Sequence, residues 1–148
     1  MGSAPGASAG GGSENRPFFP GTKIAARYTA DRGRGVFALA TIDEGEVIES
    51  CPLLVFGAVE VTHLFETSLS NYLFKWGPFG EGAACALGFG SLYNHSHSPN
   101  AVYVRKPDRL DFVALRTIDE GEEVTVSYNG GVGDRTPVWF EPDWGHRK

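Results

Sequence analysis

Cysteine is nearly missing: the chain has 2, Cys51 and Cys85, in 148 residues. That is too few for a Cys-rich zinc cluster, and the expectation for a protein of the cell interior is a pair of reduced, packed thiols. Long apolar runs are missing as well. No stretch approaches the ~18 residues of a membrane span, and no basic segment followed by an apolar run opens the sequence. No membrane association is therefore expected. The reading is a soluble intracellular protein, cytoplasmic, or nuclear in a eukaryote. Positive charge is also in deficit. With 13 Lys and Arg against 18 Asp and Glu, the net charge is -5 and the pI about 5.3. That balance disfavours direct nucleic-acid binding through a basic face, and long-range attraction favours a basic protein or peptide as partner.

What is present is a core. At 41% hydrophobic and 12% aromatic residues, the chain holds enough apolar surface for one domain. Residues 1–16 are mostly small and polar and read as a disordered tail or linker, 17–140 as the folded domain, and 141–148 as a frayed tail. The apolar residues come in short runs at 23–28, 36–40, 51–56, 101–104, 110–115 and 124–129, bounded by turn residues, so the fold class is mostly β with short helices. Pro52 is expected at a strand start or edge. Thr62 is expected to cap a short helix running through Leu64, Phe65 and Leu69. Thr-Ile-Asp-Glu-Gly-Glu occurs twice, at 41–46 and 117–122. Each copy reads as a hairpin turn with glycine in the left-handed position, the two lying at opposite ends of the domain with solvated acids.

Function is concentrated in 88–100, Gly-Phe-Gly-Ser-Leu-Tyr-Asn-His-Ser-His-Ser-Pro-Asn. Asn94, His95, His97 and Asn100 offer amides and imidazoles in a backbone bent by Pro99 and glycines. If buried, they require partners, either backbone or a polar ligand. Gly33-Arg34-Gly35 is either a tight turn or a place where another molecule approaches the backbone. His95 and His97 have the His-x-His spacing of metal ligands, which with His63 as a third ligand would make a β-rich metalloenzyme, but their Ser and Pro neighbours favour a loop over a ligating strand face, and no metal is assigned. Tyr128 sits at a strand end before a glycine-rich exit, and the aromatic segment at 136–140 is suited to fold back over a pocket.

Arg-Gly-Arg-Gly-Val-Phe-Ala, Tyr-Asn-His-Ser-His-Ser-Pro-Asn and Glu-Glu-Val-Thr-Val-Ser-Tyr, in that order, resemble the signature segments of SET-domain protein lysine methyltransferases. With its short length, the chain looks most like the minimal viral and bacterial SET proteins without flanking zinc modules. The resemblance covers about residues 23–140. It implies a fold of several small sheets with a C-terminal pseudoknot, to which Pro99 and Asn100 would belong. It also implies S-adenosyl-L-methionine as cofactor, approached by Gly33, Arg34 and Gly35, held by Asn94 and His95, and covered by Trp139 with Phe140 beside it. Tyr128 matches the catalytic tyrosine and also faces the cofactor. Tyr103 and Tyr72, with Tyr128, would line the substrate lysine channel. The methyl would pass to the ε-amine of a lysine on a histone tail or another basic protein by in-line displacement, a task of alignment. His97 replaces the cysteine that joins a zinc cluster in many relatives. Channel closure would then fall to 136–140 or to a second copy in a homodimer. The rival reading is a SET-like module that holds peptide or cofactor without turnover.

Overall fold

The computed structural model describes residues 18–128; the expected tails, Trp139 and Phe140 lie outside them. Among the described residues nine strands form two sheets. β1 (Ile24–Tyr28) and β2 (Arg34–Ala38) pair antiparallel. The far edge of β2 takes β9 (Glu123–Val126), and β9 takes the two-residue β6 (Asn94–His95) in parallel. The second sheet has the order β4-β5-β3-β8-β7, with β3 (Val47–Phe56) at its centre. Around it lie β4 (Leu73–Trp76), β5 (Gly82–Ala86), β7 (Ala101–Arg105) and β8 (Arg109–Ala114), all antiparallel. The mostly-β expectation holds.

The core lies where the sheets meet. Val36 and Val124 face each other across β2 and β9 and are fully buried, as are Phe112 and Leu110 of β8. β8 is buried along nearly its whole length: Leu110 and Phe112 alternate with Arg109 and Asp111, which are buried as an ion pair.

The repeated hexapeptides are turns, but not hairpins, and they do not lie at opposite ends. Gly45 and Gly121 do adopt positive φ, 80° and 88°. Each turn, however, carries the chain from one sheet to the other, and the two copies bind each other. Ile42 and Ile118 exchange both backbone hydrogen bonds at 2.9 Å and bury their side chains. Gly121 N–H donates to the Ala38 carbonyl (2.8 Å), and Gly45 N–H donates to that of Ala114 (2.8 Å), so each glycine reaches the end of the strand preceding the other copy. Glu46 and Glu122 are more than solvated acids. Their carboxylates accept the Asp43 and Asp119 N–H groups at 2.9 and 2.7 Å, closing each turn.

Pro52 sits mid-strand, neither at the start of β3 nor on a sheet edge. It marks the handover where β3 stops pairing with β8, at Pro52↔Arg109, and begins pairing with β5, at Leu53↔Ala86. The missing N–H falls at this change of partner. Helix α1 (Ala58–Leu64) begins earlier than expected, with Gly57 at its N-cap. The Gly57 N–H donates to the Glu60 carboxylate at 2.8 Å. Thr62 lies inside the helix and donates back to the Val59 carbonyl. A 3-10 segment, Ser68–Tyr72, follows separately and holds Leu69.

Candidate active site

The glycines at 33 and 35 answer different needs. Gly33 has φ 73° in the β1–β2 turn, and a Cβ there would meet nothing within 4 Å; conformation alone selects it. At Gly35 a Cβ would stand 2.4 Å from the Glu123 Oε1 and 2.8 Å from the Asn94 Nδ2. The close approach expected of this turn is made there by the chain's own side chains. Asn94 Nδ2 donates to the Arg34 carbonyl (3.1 Å) and to Glu123 Oε1 (2.7 Å). With both amide protons used, the acceptor Oδ1 remains for a ligand.

Two site residues escaped the sequence reading. Arg32 donates from Nη1 to the His95 carbonyl at 3.2 Å and pairs through Nη2 with the Glu123 carboxylate. Glu123 thus joins the β1–β2 turn to Asn94 on β6. The available signal was a second arginine before Gly33 and a carboxylate opening the last strand, both of which resemble ordinary surface charge.

Asn100 is buried and replaces a strand partner. Its Nδ2 donates to the Glu123 carbonyl and its Oδ1 accepts the Thr125 N–H, both at 2.8 Å. β9 is thereby held on one side by β2 and on the other by β6 and Asn100, and it delivers Tyr128 just beyond its end.

Tyr128 meets the 88–100 segment at two points. Its N–H donates to His95 Nδ1 (3.0 Å), and its hydroxyl donates to the Tyr93 carbonyl (2.6 Å). Because Nδ1 of the buried His95 accepts, its neutral ring carries the proton on Nε2, which faces His97 Nδ1 at 3.3 Å. Tyr128 is 39% exposed, and its hydroxyl bond to Tyr93 is part-buried. Burial pushes its pKa up to about 12, opposed by Arg32 and aided by Glu123 and Tyr72. Tyr103 packs edge-on against Phe74, with centroids 5.1 Å apart, and against Phe112. Among the described residues no hydrogen bond or ring contact joins it to Tyr128. Among those residues, too, no group of three or more His, Cys, Asp or Glu is disposed to hold a metal ion, so His63 does not complete a set with His95 and His97. No helix there is long and apolar enough to cross a membrane.

Comparison with known proteins identifies the family. The family model described as the SET domain matches residues 33–129. The histone-lysine N-methyltransferase of Schizosaccharomyces pombe described as H3 lysine-37 specific is 39% identical over 124 residues, 81% of this chain and 78% of its own length. A solved structure of a candidate histone methyltransferase from Plasmodium falciparum superposes with a TM-score of 0.59 at 30% identity, covering 74% of this chain and 99% of that one. CpSET8 from Cryptosporidium gives 0.59 at 26% identity, with 78% of this chain and 59% of that one covered. The glycine turn, the Asn94–His95 strand and the tyrosine beyond β9 all fall within the matched span, and the chain belongs to the SET-domain family of protein-lysine methyltransferases.

Proposed function

We propose that this chain uses S-adenosyl-L-methionine to methylate a lysine on a histone tail or another basic protein, with Tyr128 aligning the acceptor amine. The observation that carries the reading is the double attachment of Tyr128 to the 88–100 segment, through His95 Nδ1 and the Tyr93 carbonyl. The cofactor carries its methyl on a sulfonium, so the protein need supply neither a metal nor a nucleophile. The residues present fit such a ligand. The spare acceptor of Asn94 suits amino-group donors, and Asn94 is oriented by its bonds to the Arg34 carbonyl and the Glu123 carboxylate. Arg34 is exposed at the opening of β2. Trp139, proposed as the cover, lies outside the described residues.

Tyr128 acts as a fixed dipole. With a pKa of about 12, its hydroxyl stays protonated at neutral pH and orients the amine instead of removing its proton. A free lysine amine, at about 10.4, must become neutral before attack, and an enclosed, phenol-lined channel favours that form while the proton leaves to water. Tyr72 and Tyr128 are proposed as channel walls; Tyr103 is the weaker member of the set. The net charge of -5 supports a basic substrate.

Tyr128→Phe should leave cofactor affinity within about threefold while single-turnover transfer to histone-tail peptides falls roughly 10²-fold. Unchanged transfer would remove Tyr128 from the mechanism. Mass spectrometry of histones and other basic proteins treated with enzyme and cofactor tests the substrate class, and modification confined to acidic proteins would contradict it.

A further inference from the structure

Glu49 has no part in the mechanism above, yet it lies on β3 inside the protein, 2% exposed. A buried carboxyl is costly unless its oxygens are bonded. Its Oε1 accepts the Tyr93 hydroxyl at 2.8 Å, and Phe89 N–H approaches Oε2 at 3.5 Å. Room beside Oε2 is kept by Gly88, where a Cβ would stand 3.0 Å away. Tyr93 is itself 2% exposed, and its ring stacks on Phe112 with centroids 4.2 Å apart and planes 12° from parallel. The ring is thus held on its face by packing and at its tip by a directional hydrogen bond. The main-chain carbonyl of this same residue receives the Tyr128 hydroxyl.

We propose that Glu49 and Tyr93 form a buried strut that positions Tyr128: the clamped Tyr93 side chain fixes the carbonyl that aims the catalytic hydroxyl. Both are positioning residues, since neither side chain reaches the reacting atoms, and the proposal rests on the reading of Tyr128 given above. Packing alone would be served by Phe at 93 and an aliphatic residue at 49. The polar pair adds a directional constraint on how far the ring sits into the core. A small shift there moves the carbonyl, and hydrogen-bonded alignment is steep in distance and angle.

The test is a kinetic double-mutant cycle between Tyr93→Phe and Tyr128→Phe, with single turnovers followed long enough to quantify the slow variants. Tyr93→Phe should lower kcat about tenfold in the wild-type background while peptide KM and cofactor Kd stay within about twofold. In the Tyr128→Phe background, where no hydroxyl remains to be aimed, it should change kcat by less than about twofold. Glu49→Gln, which keeps an acceptor at the same place, should restrict the loss to about threefold or less. If Tyr93→Phe does not fold, Glu49→Leu carries the same cycle, with the same loss expected. Wild-type kcat in Tyr93→Phe, or equal losses in both backgrounds, would overturn the strut and leave the role of Tyr128 standing. Full turnover in Tyr128→Phe alone would remove the reading beneath it.

Discussion

At the scale of single residues, the two glycines of the β1–β2 turn should fail differently when replaced. Gly33→Ala meets open space at positive φ, so its cost is backbone strain of about 1 kcal/mol, with the site otherwise intact. Gly35→Ala instead drives a methyl into the Glu123 carboxylate and the Asn94 amide. Both are the ends of side chains and can move, but moving them breaks the bonds that orient Asn94. The expected result is a small stability loss with cofactor affinity weakened roughly tenfold. Calorimetric titration with the cofactor beside thermal unfolding of both variants checks this, and a larger affinity loss in Gly33→Ala would reverse the assignment. The sequence presented both glycines as one motif. It did not show that only Gly35 is selected by proximity, because the neighbours that crowd it come from positions 94 and 123. For the same reason Arg32 and Glu123 went unread: each is an ordinary charged residue until the other is placed beside it.

At the scale of elements, β9 is short and its attachment decides where Tyr128 sits against His95 and Tyr93. Asn100 uses one donor and one acceptor to hold the β9 backbone, a side chain performing the work of a neighbouring strand. Asn100→Ala leaves the part-buried Thr125 N–H and Glu123 carbonyl without their Asn100 partners, a loss on the order of 1–3 kcal/mol. Urea unfolding measures the loss, and methyl transfer should fall even where the variant remains folded, since the anchor of Tyr128 loosens. Activity retained in a folded Asn100→Ala would detach β9 tethering from catalysis. The 88–100 stretch was legible as a site because a cluster of amides and imidazoles has to be partnered once buried. Which partners it takes was not legible, since β6 is only two residues long and pairs with a strand some thirty positions onward.

At the scale of the whole molecule, the twin hexapeptides join the two sheets, and their carboxylates make that junction sensitive to acid. Local sequence encoded the turn conformation, through glycine at positive φ, but pairing is a long-range choice, and a hairpin reading was the natural local one. The Lys23 ammonium bonded to Glu46 holds its carboxyl below the usual range, and the Arg116 guanidinium does the same for Glu122. A carboxyl whose folded pKa lies below its unfolded value stabilises the protein above about pH 4.5, and that stabilisation is lost as pH falls through the folded value. Glu49 has the opposite sign: burial raises its pKa, so its ionisation costs stability as pH rises above about 4.5. The turn pairs are about one-third or more exposed, so solvent screening limits the two together to on the order of 1 kcal/mol. The double variant Glu46→Gln, Glu122→Gln should therefore show a shallower fall in Tm between pH 5 and 3 than the parent, with the two curves converging at the acid end. Glu49→Gln should gain on the parent as pH rises from 4 to 7. Calorimetric melts across that range test both signs, and parallel Tm curves for parent and double variant would show that the junction between the sheets is held by its backbone exchange and buried isoleucines alone.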